Sequence, residues 1–169
     1  ALAGILTVSC NAWLDVTPDN AIADDDLFST GFGYRNALNG IYTNLASDEL
    51  YGKQLSWGFL SAISQQYNQK VGTISPMYAD ASELIYNTVD TEPVVTAIWE
   101  KGYKVIANLN KLIENILPTD ISLFEYGEEE KKLIYAEALS LRAMMHFDLL
   151  RLFAPAPATN PSGTYLPYR

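Results

Sequence analysis

The sequence predicts an all-α fold, an antiparallel array of helices. Three observations carry that expectation. Apolar residues recur at helical spacing in several long stretches, capping and breaking residues bound those stretches, and most connections between them are modest. The composition suits a packed domain: of 169 residues, 49% are hydrophobic and 18% charged, which is globular rather than disordered usage. A chain of this length can form one compact domain that buries roughly 70% of its unfolded surface.

Taken in order, residues 1–10 (ALAGILTVSC) are small and apolar and end on the one cysteine of the chain, Cys10. They read as the tail of a signal-peptide apolar region. Cys10 then has two readings, a lipid-attachment residue or a free or buried thiol; a lone cysteine makes no internal disulfide. Residues 11–28 are polar, acidic and proline-containing, an expected extended leader, so the helical domain runs over 29–169. Ser29 or Thr30 can cap the first helix, in which Tyr34, Leu38, Ile41 and Leu45 share one face. A second helix is expected over about 50–67, with Leu55, Phe59 and Ile63 or Ala62 inward. Its glycines, Gly52 and Gly58, each cost about 1 kcal/mol relative to alanine, or admit a close neighbour. Residues 68–92 keep no period; they are either a functional connection or an ordered loop with a short helix near 79–86. The third helix has Asp90 or Thr91 as its cap, Pro93 in its first turn and Pro118 past its end. Its seam is Val95, Ile98, Trp99, Gly102, Ile106, Leu109, Ile113 and Ile116. The fourth, Glu128–Phe153, opens on three glutamates that suit the positive end of the helix dipole and stops before Pro155 and Pro157. TYLPYR at the end is a candidate strand start.

Charge and residue chemistry narrow the function. The net charge of −9 comes without any basic run, which argues against nucleic-acid binding. Cys and His spacing offers no zinc site, and no apolar run reaches the ~20 residues that span a bilayer. The 11 tyrosines serve either as amphipathic core and interface filling or as exposed rings for stacking on sugars and other ligands.

The stretch EALSLRAMMHFDLLRLF (137–153) holds the single histidine and is the obvious place to look for catalysis. On a helix, Arg142 and His146 share one face, whereas Glu137, Asp148 and Arg151 fall together on a roughly opposite side. Asp148 therefore cannot orient His146 as a base–orienter pair requires. Nor is there a nucleophile in a recognisable setting, a phosphate loop or an HExxH pairing. His146 is expected to be a packed, hydrogen-bonded residue between helices, and Arg142 to snorkel or to pair with a carboxylate from another helix.

The string AEALSLRAMMHFDLLRLFAPAP resembles the signature helix of the SusD/RagB family of bacterial outer-membrane nutrient-binding lipoproteins. The matching residues are Glu137-Ala138, Leu141-Arg142-Ala143, His146-Phe147 and Leu150-Arg151-Leu152-Phe153. Ser9-Cys10 followed by Leu14–Pro18 resembles the lipidated start of the mature protein, ALNGIYTNL (37–45) the first long helix, and WEKGYKVIANLNKLIENI (99–116) the asparagine-containing helix of the tetratricopeptide-like region. Trp99, Gly102 and Tyr103, set against Ala136 and Ala138, also resemble the helix pairs of that repeat, though their spacing departs from it. Ala154 stands where the family usually has glycine, and family members are much longer, so this chain resembles their N-terminal portion.

The resemblance implies a lipid anchor at Cys10, an outer-membrane, cell-surface location, and capture of an oligosaccharide or other nutrient for a SusC-type TonB-dependent transporter. It implies no enzyme activity and no cofactor. Glycan contacts in the family come largely from loops outside the helices. The 66–92 connection carries suitable groups: Gln66, Tyr67, Asn68, Asp80, Tyr86 and Asn87 supply aromatic faces and hydrogen bonders, or else cover the helices beneath. Two other readings stay open. One is a helical protein–protein interaction module without a small ligand. The other is a glycan hydrolase, which would need two carboxylates roughly 5–10 Å apart across a cleft.

Overall fold

The computed structural model describes residues 24–66, 75–156, 158, 159 and 162–168. Among them the secondary structure is helical with no strand: α1 (Asp24–Leu27), α2 (Gly31–Leu45), α3 (Phe59–Ile63), α4 (Pro76–Ser82), α5 (Glu92–Ile116) and α6 (Gly127–Phe153), with a 3₁₀ turn at Ile121–Leu123. The all-α expectation holds. Cys10 and residues 1–10 lie outside the described residues, as do most of the leader, Tyr67 and Asn68.

Three long helices make the core, and their register can be read from cross-links. Trp99 meets Phe153, Tyr103 meets His146, and Asn110 accepts a hydrogen bond from Arg142 at 2.9 Å. Residue numbers rise on α5 as they fall on α6, so the pair is antiparallel. Arg35 pairs with Glu130, and Tyr42 donates to Glu137 at 3.0 Å. Numbers there rise together, so α2 runs parallel to α6. Tyr34 donates to the Asn115 carbonyl at 3.0 Å, which ties the start of α2 to the end of α5. The expected seams are buried: Tyr34, Leu38, Ile41 and Leu45 on α2, and Ile98, Ile106, Leu109, Ile113 and Ile116 on α5. Gly102 lets α6 approach, because a Cβ there would sit 3.1 Å from Leu149 Cδ2.

Caps follow the sequence in one case and shift in others. Thr30 Oγ1 accepts the Gly33 amide at 3.1 Å, the expected N-cap bond. At α5 Thr91 is the N-cap residue, as expected, but neither its side chain nor that of Asp90 makes the capping bond. Thr88 does, its Oγ1 accepting the Thr91 amide at 3.1 Å and its carbonyl accepting the Glu92 amide at 3.0 Å. At α6, Glu130 reaches back to accept the Tyr126 amide at 3.0 Å. That bond first, and Arg35 second, hold the Glu130 carboxyl below the usual glutamate range.

Four expectations need correction. The end of the leader is not extended: Asp24–Leu27 is a helical turn, and Phe28 packs on Tyr34 at 5.0 Å, folding the chain over the start of α2. The helix expected over 50–67 shrinks to Phe59–Ile63. Before it, amides of Leu55 and Gly58 bond to carbonyls five residues back, Leu50 and Lys53, at 2.8 and 2.7 Å. Such wide turns bury Leu50 and Leu55 on the same side, a spacing an α-helix would split. Gly52 is needed because a Cβ would overlap the Ala46 and Ser47 carbonyls, where the chain doubles back on α2. The short helix expected near 79–86 lies earlier, at Pro76–Ser82, with proline in its first turn. TYLPYR forms no strand among its described residues; Tyr103 donates to the Pro167 carbonyl at 3.2 Å and Tyr168 lies on His146.

Candidate functional site

The described part of the 66–92 connection centres on α4 and its exit. Asp80, Tyr86 and Asn87, all named from the sequence, fall here but differ in role. Asp80 Oδ2 accepts from Thr88 Oγ1 at 2.7 Å, so this carboxylate anchors the residue that caps α5. Asn87 is exposed. Tyr86 is half-exposed, its ring 6.0 Å from Phe59, and burial holds its hydroxyl above the usual tyrosine range.

One exposed ring escaped sequence reasoning. Trp57, two residues before Phe59, is 57% exposed with its indole N–H bonded to the Gly52 carbonyl at 3.2 Å. That bond fixes the ring, and Lys53 Nζ lies 5.8 Å from its centroid. The signal available in the sequence was a tryptophan between two glycine-punctuated turns, a position where a large ring has little to bury against.

The exits of α3 and α4 share an unusual geometry. The Gln65 and Gln66 amides bond back to Ala62 and Ser61, and those of Leu84 and Ile85 to Ala81 and Asp80, the paired bonds of a Schellman motif. The residue that must turn left-handed is Gln65 (φ 55°) in one and Leu84 (φ 60°) in the other, where glycine is the usual occupant. Gln65 Nε2 also donates to the Ser82 carbonyl at 3.4 Å, joining the two exits. Gln66 and Tyr86 thus follow two turns of the same kind, linked by the Gln65 side chain.

The histidine face is arranged differently. His146 lies between Tyr103 and Tyr168, with ring centroids 6.4 and 4.5 Å away. It is packed as expected, but among the described residues neither ring nitrogen has a hydrogen-bond partner. Burial, and after it Arg142, lowers its pKa, favouring the neutral ring. Arg142 pairs with the Asn110 amide oxygen rather than with a carboxylate, because the antiparallel register sets Asn110 opposite it. A cleft of about 330 Å³ opens beside them, lined by Tyr103, Asn110, Glu114 and His146 among others. Asp148 sits on the other side of α6, bonded to the Tyr51 hydroxyl and to Arg151. The charges of α6 are therefore split between two sides of the helix, Arg142 toward α5 and Asp148 toward Tyr51 in the turns after α2, and among the described residues no acid–base pair forms around His146. Among the described residues no three His, Cys, Asp or Glu side chains gather as a metal site, and no helix is long and apolar enough to cross a membrane.

Comparison with known proteins assigns the scaffold. A protein family described as SusD-like, "Starch-binding associating with outer membrane", matches residues 12–166. The chain belongs to the SusD-like family. Three curated relatives from Formosa agariphila resemble this SusD-like chain. SusD-like protein P2 is 23% identical over 153 residues, covering 90% of this chain and 29% of the relative. SusD-like protein P25 is 26% identical over 88% of this chain and 28% of its own length. SusD-like protein P38 is 26% identical over 91% of this chain and 28% of its own length. The SusD-like chain thus spans less than a third of the curated relatives it matches. No solved structure matches it.

Proposed function

We propose that this chain is the N-terminal portion of a cell-surface lipoprotein that captures an oligosaccharide and passes it to a SusC-type TonB-dependent transporter. The observation that carries the reading is the SusD-like match along residues 12–166, whose description joins starch binding to the outer membrane. Anchoring is through lipid on Cys10, and capture is by binding rather than catalysis. The helices serve as scaffold. The ligand meets the side of the molecule where α3 and α4 exit, with Tyr67, Asn68, Tyr86 and Asn87 as contacts and Asp80 holding the loop.

The chemistry of that side supports the reading. A sugar ring presents C–H faces to aromatics and hydroxyls to amides and carboxylates. Trp57 and Tyr86 offer held, partly exposed rings, and Asn87 an exposed amide. No acid–base pair is needed. The test is retention of the full-length protein on a panel of immobilised polysaccharides, starch first, with Tyr67→Ala and Tyr86→Ala variants. Loss of retention in folded variants is expected. Unchanged retention in both would remove the loop from the site, and retention of a protein partner with no polysaccharide would favour an interaction module instead.

A further inference from the structure

Asp148 of α6 is 7% exposed. A carboxylate at that depth is costly unless it is paired, and packing alone would be served as well by an apolar side chain of similar volume. Both of its oxygens are taken: Oδ1 pairs with Arg151, and Oδ2 accepts from the Tyr51 hydroxyl. Burial, and then the bond to Asp148, raises the Tyr51 pKa, so this hydroxyl keeps its proton and donates.

Tyr51 lies in the turns after α2, where most hydrogen bonds are local: the Gly52 amide to the Ser47 carbonyl, Leu55 to Leu50, Gly58 to Lys53. Its bond to Asp148 crosses 97 positions of sequence to reach α6. Leu50 and Leu55 press the same turns onto the core, but apolar contact has no direction. A hydrogen bond to a buried carboxylate does, and it fixes the angle at which the turns sit. Trp57 inherits that angle. Its indole N–H is bonded at 3.2 Å to the carbonyl of Gly52, the residue next to Tyr51. Ser56, just before Trp57, donates at 2.9 Å to the carbonyl of Tyr51 itself. Trp57 is more exposed than buried, so packing does less to locate its ring than it does for a core aromatic.

We infer that Asp148 is a positioning residue for ligand capture: by holding Tyr51, it sets the orientation in which the turns over 51–58 present the Trp57 ring to a sugar. The inference rests on the glycan reading above for what that ring meets. A helix of the scaffold and the binding surface are then joined through a hydrogen bond that Tyr51→Phe removes while keeping the ring.

The experiment labels the full-length protein with 5-fluorotryptophan and follows the fluorine resonance of Trp57, assigned by its absence in Trp57→Phe. Starch binding is measured on the same proteins by retardation in starch gels. Tyr51→Phe and Asp148→Ala should shift or broaden the Trp57 resonance and weaken starch binding about three- to tenfold, the scale of freeing one side chain that binding must then order. Asp148→Asn keeps an acceptor for the Tyr51 hydroxyl and should leave both readouts as in wild type. Leu109→Ala, wholly buried on α5, lowers stability without touching the link and should also leave both unchanged. If Asp148→Ala does not fold, Tyr51→Phe carries the test. A Trp57 resonance unmoved in folded Tyr51→Phe overturns the inference. So does a moved resonance with undiminished starch binding, or a Leu109→Ala resonance that moves as far. Wild type that passes starch unretarded sinks the glycan reading for starch and not the link, on which the fluorine resonance then decides alone.

Discussion

Two regions of this chain reach order by different means. From 92 to 153, α5 and α6 form one antiparallel pair in which Leu109, Leu112, Ile116, Met145 and Leu149 are wholly buried. Side-chain packing holds it. From 46 to 91 the helices are short, and the chain is held by turn hydrogen bonds, the two Schellman exits and a few anchors: Tyr51 to Asp148, Asp80 to Thr88, Gln65 to Ser82. The first region is a scaffold whose stability depends on volume. The second positions side chains through individual bonds, and it is there that the large rings of Trp57 and Tyr86 face solvent.

The contrast predicts a ranking of effects. Leu149→Ala strikes the packed pair, with the lost methyl groups facing Gly102, and should cost about 3 kcal/mol by urea unfolding. A loss under 1 kcal/mol would mean that the pair is not the stability core. Tyr51→Phe removes one anchor of the second region and leaves Asp148, which is 7% exposed, with only Arg151. A hydrogen bond to a charged group suggests about 2 kcal/mol, and hydrogen exchange should quicken at 47–57 more than along α5.

Acid separates two groups in the first region. His146 has a native pKa below its unfolded value of about 6.5, so the unfolded chain binds the extra proton. Stability is full above that value and declines as pH falls through it toward the native value; His146→Phe should remove this limb. Glu130 has a depressed carboxyl pKa, so its contribution is present above the unfolded value of about 4.3 and is lost as pH falls through the native one. Glu130→Gln should flatten this second, more acidic limb and leave the first intact. The smallest effect is a gain. Leu84→Gly relieves a left-handed leucine at an exposed position and should stabilise by about 1 kcal/mol, without altering α5 or α6.

The same division explains what the sequence disclosed. Long seams on α2 and α5 were legible because a 3.6-residue period repeats several times within each. The 50–67 stretch misled because Leu50 and Leu55 are brought together by five-residue turns, which leave no α-helical period to find. Thr91 is the N-cap residue of α5, as expected, but the hydroxyl that serves its amide belongs to Thr88, a residue outside the helix that the Thr91–Pro93 pattern does not point to. Within the candidate site, Tyr86 and Asn87 were readable as loop residues, whereas the structural role of Asp80 depends on a partner eight residues away. Trp57 was hidden inside an expected helix. The packing of His146 against α5 was legible, but its lack of a hydrogen-bond partner among the described residues depends on the flanking Tyr103 and Tyr168, which spacing alone does not reveal.

We propose that the anchored turns, and not the packed helices, capture a polysaccharide. Electrophoresis of the full-length protein through gels containing starch, and then other glycans in turn, tests it directly. Wild type and Leu84→Gly should be retarded alike, while Trp57→Ala/Tyr86→Ala should run unretarded with its thermal midpoint unchanged. A folded double variant retarded as strongly as wild type would contradict it.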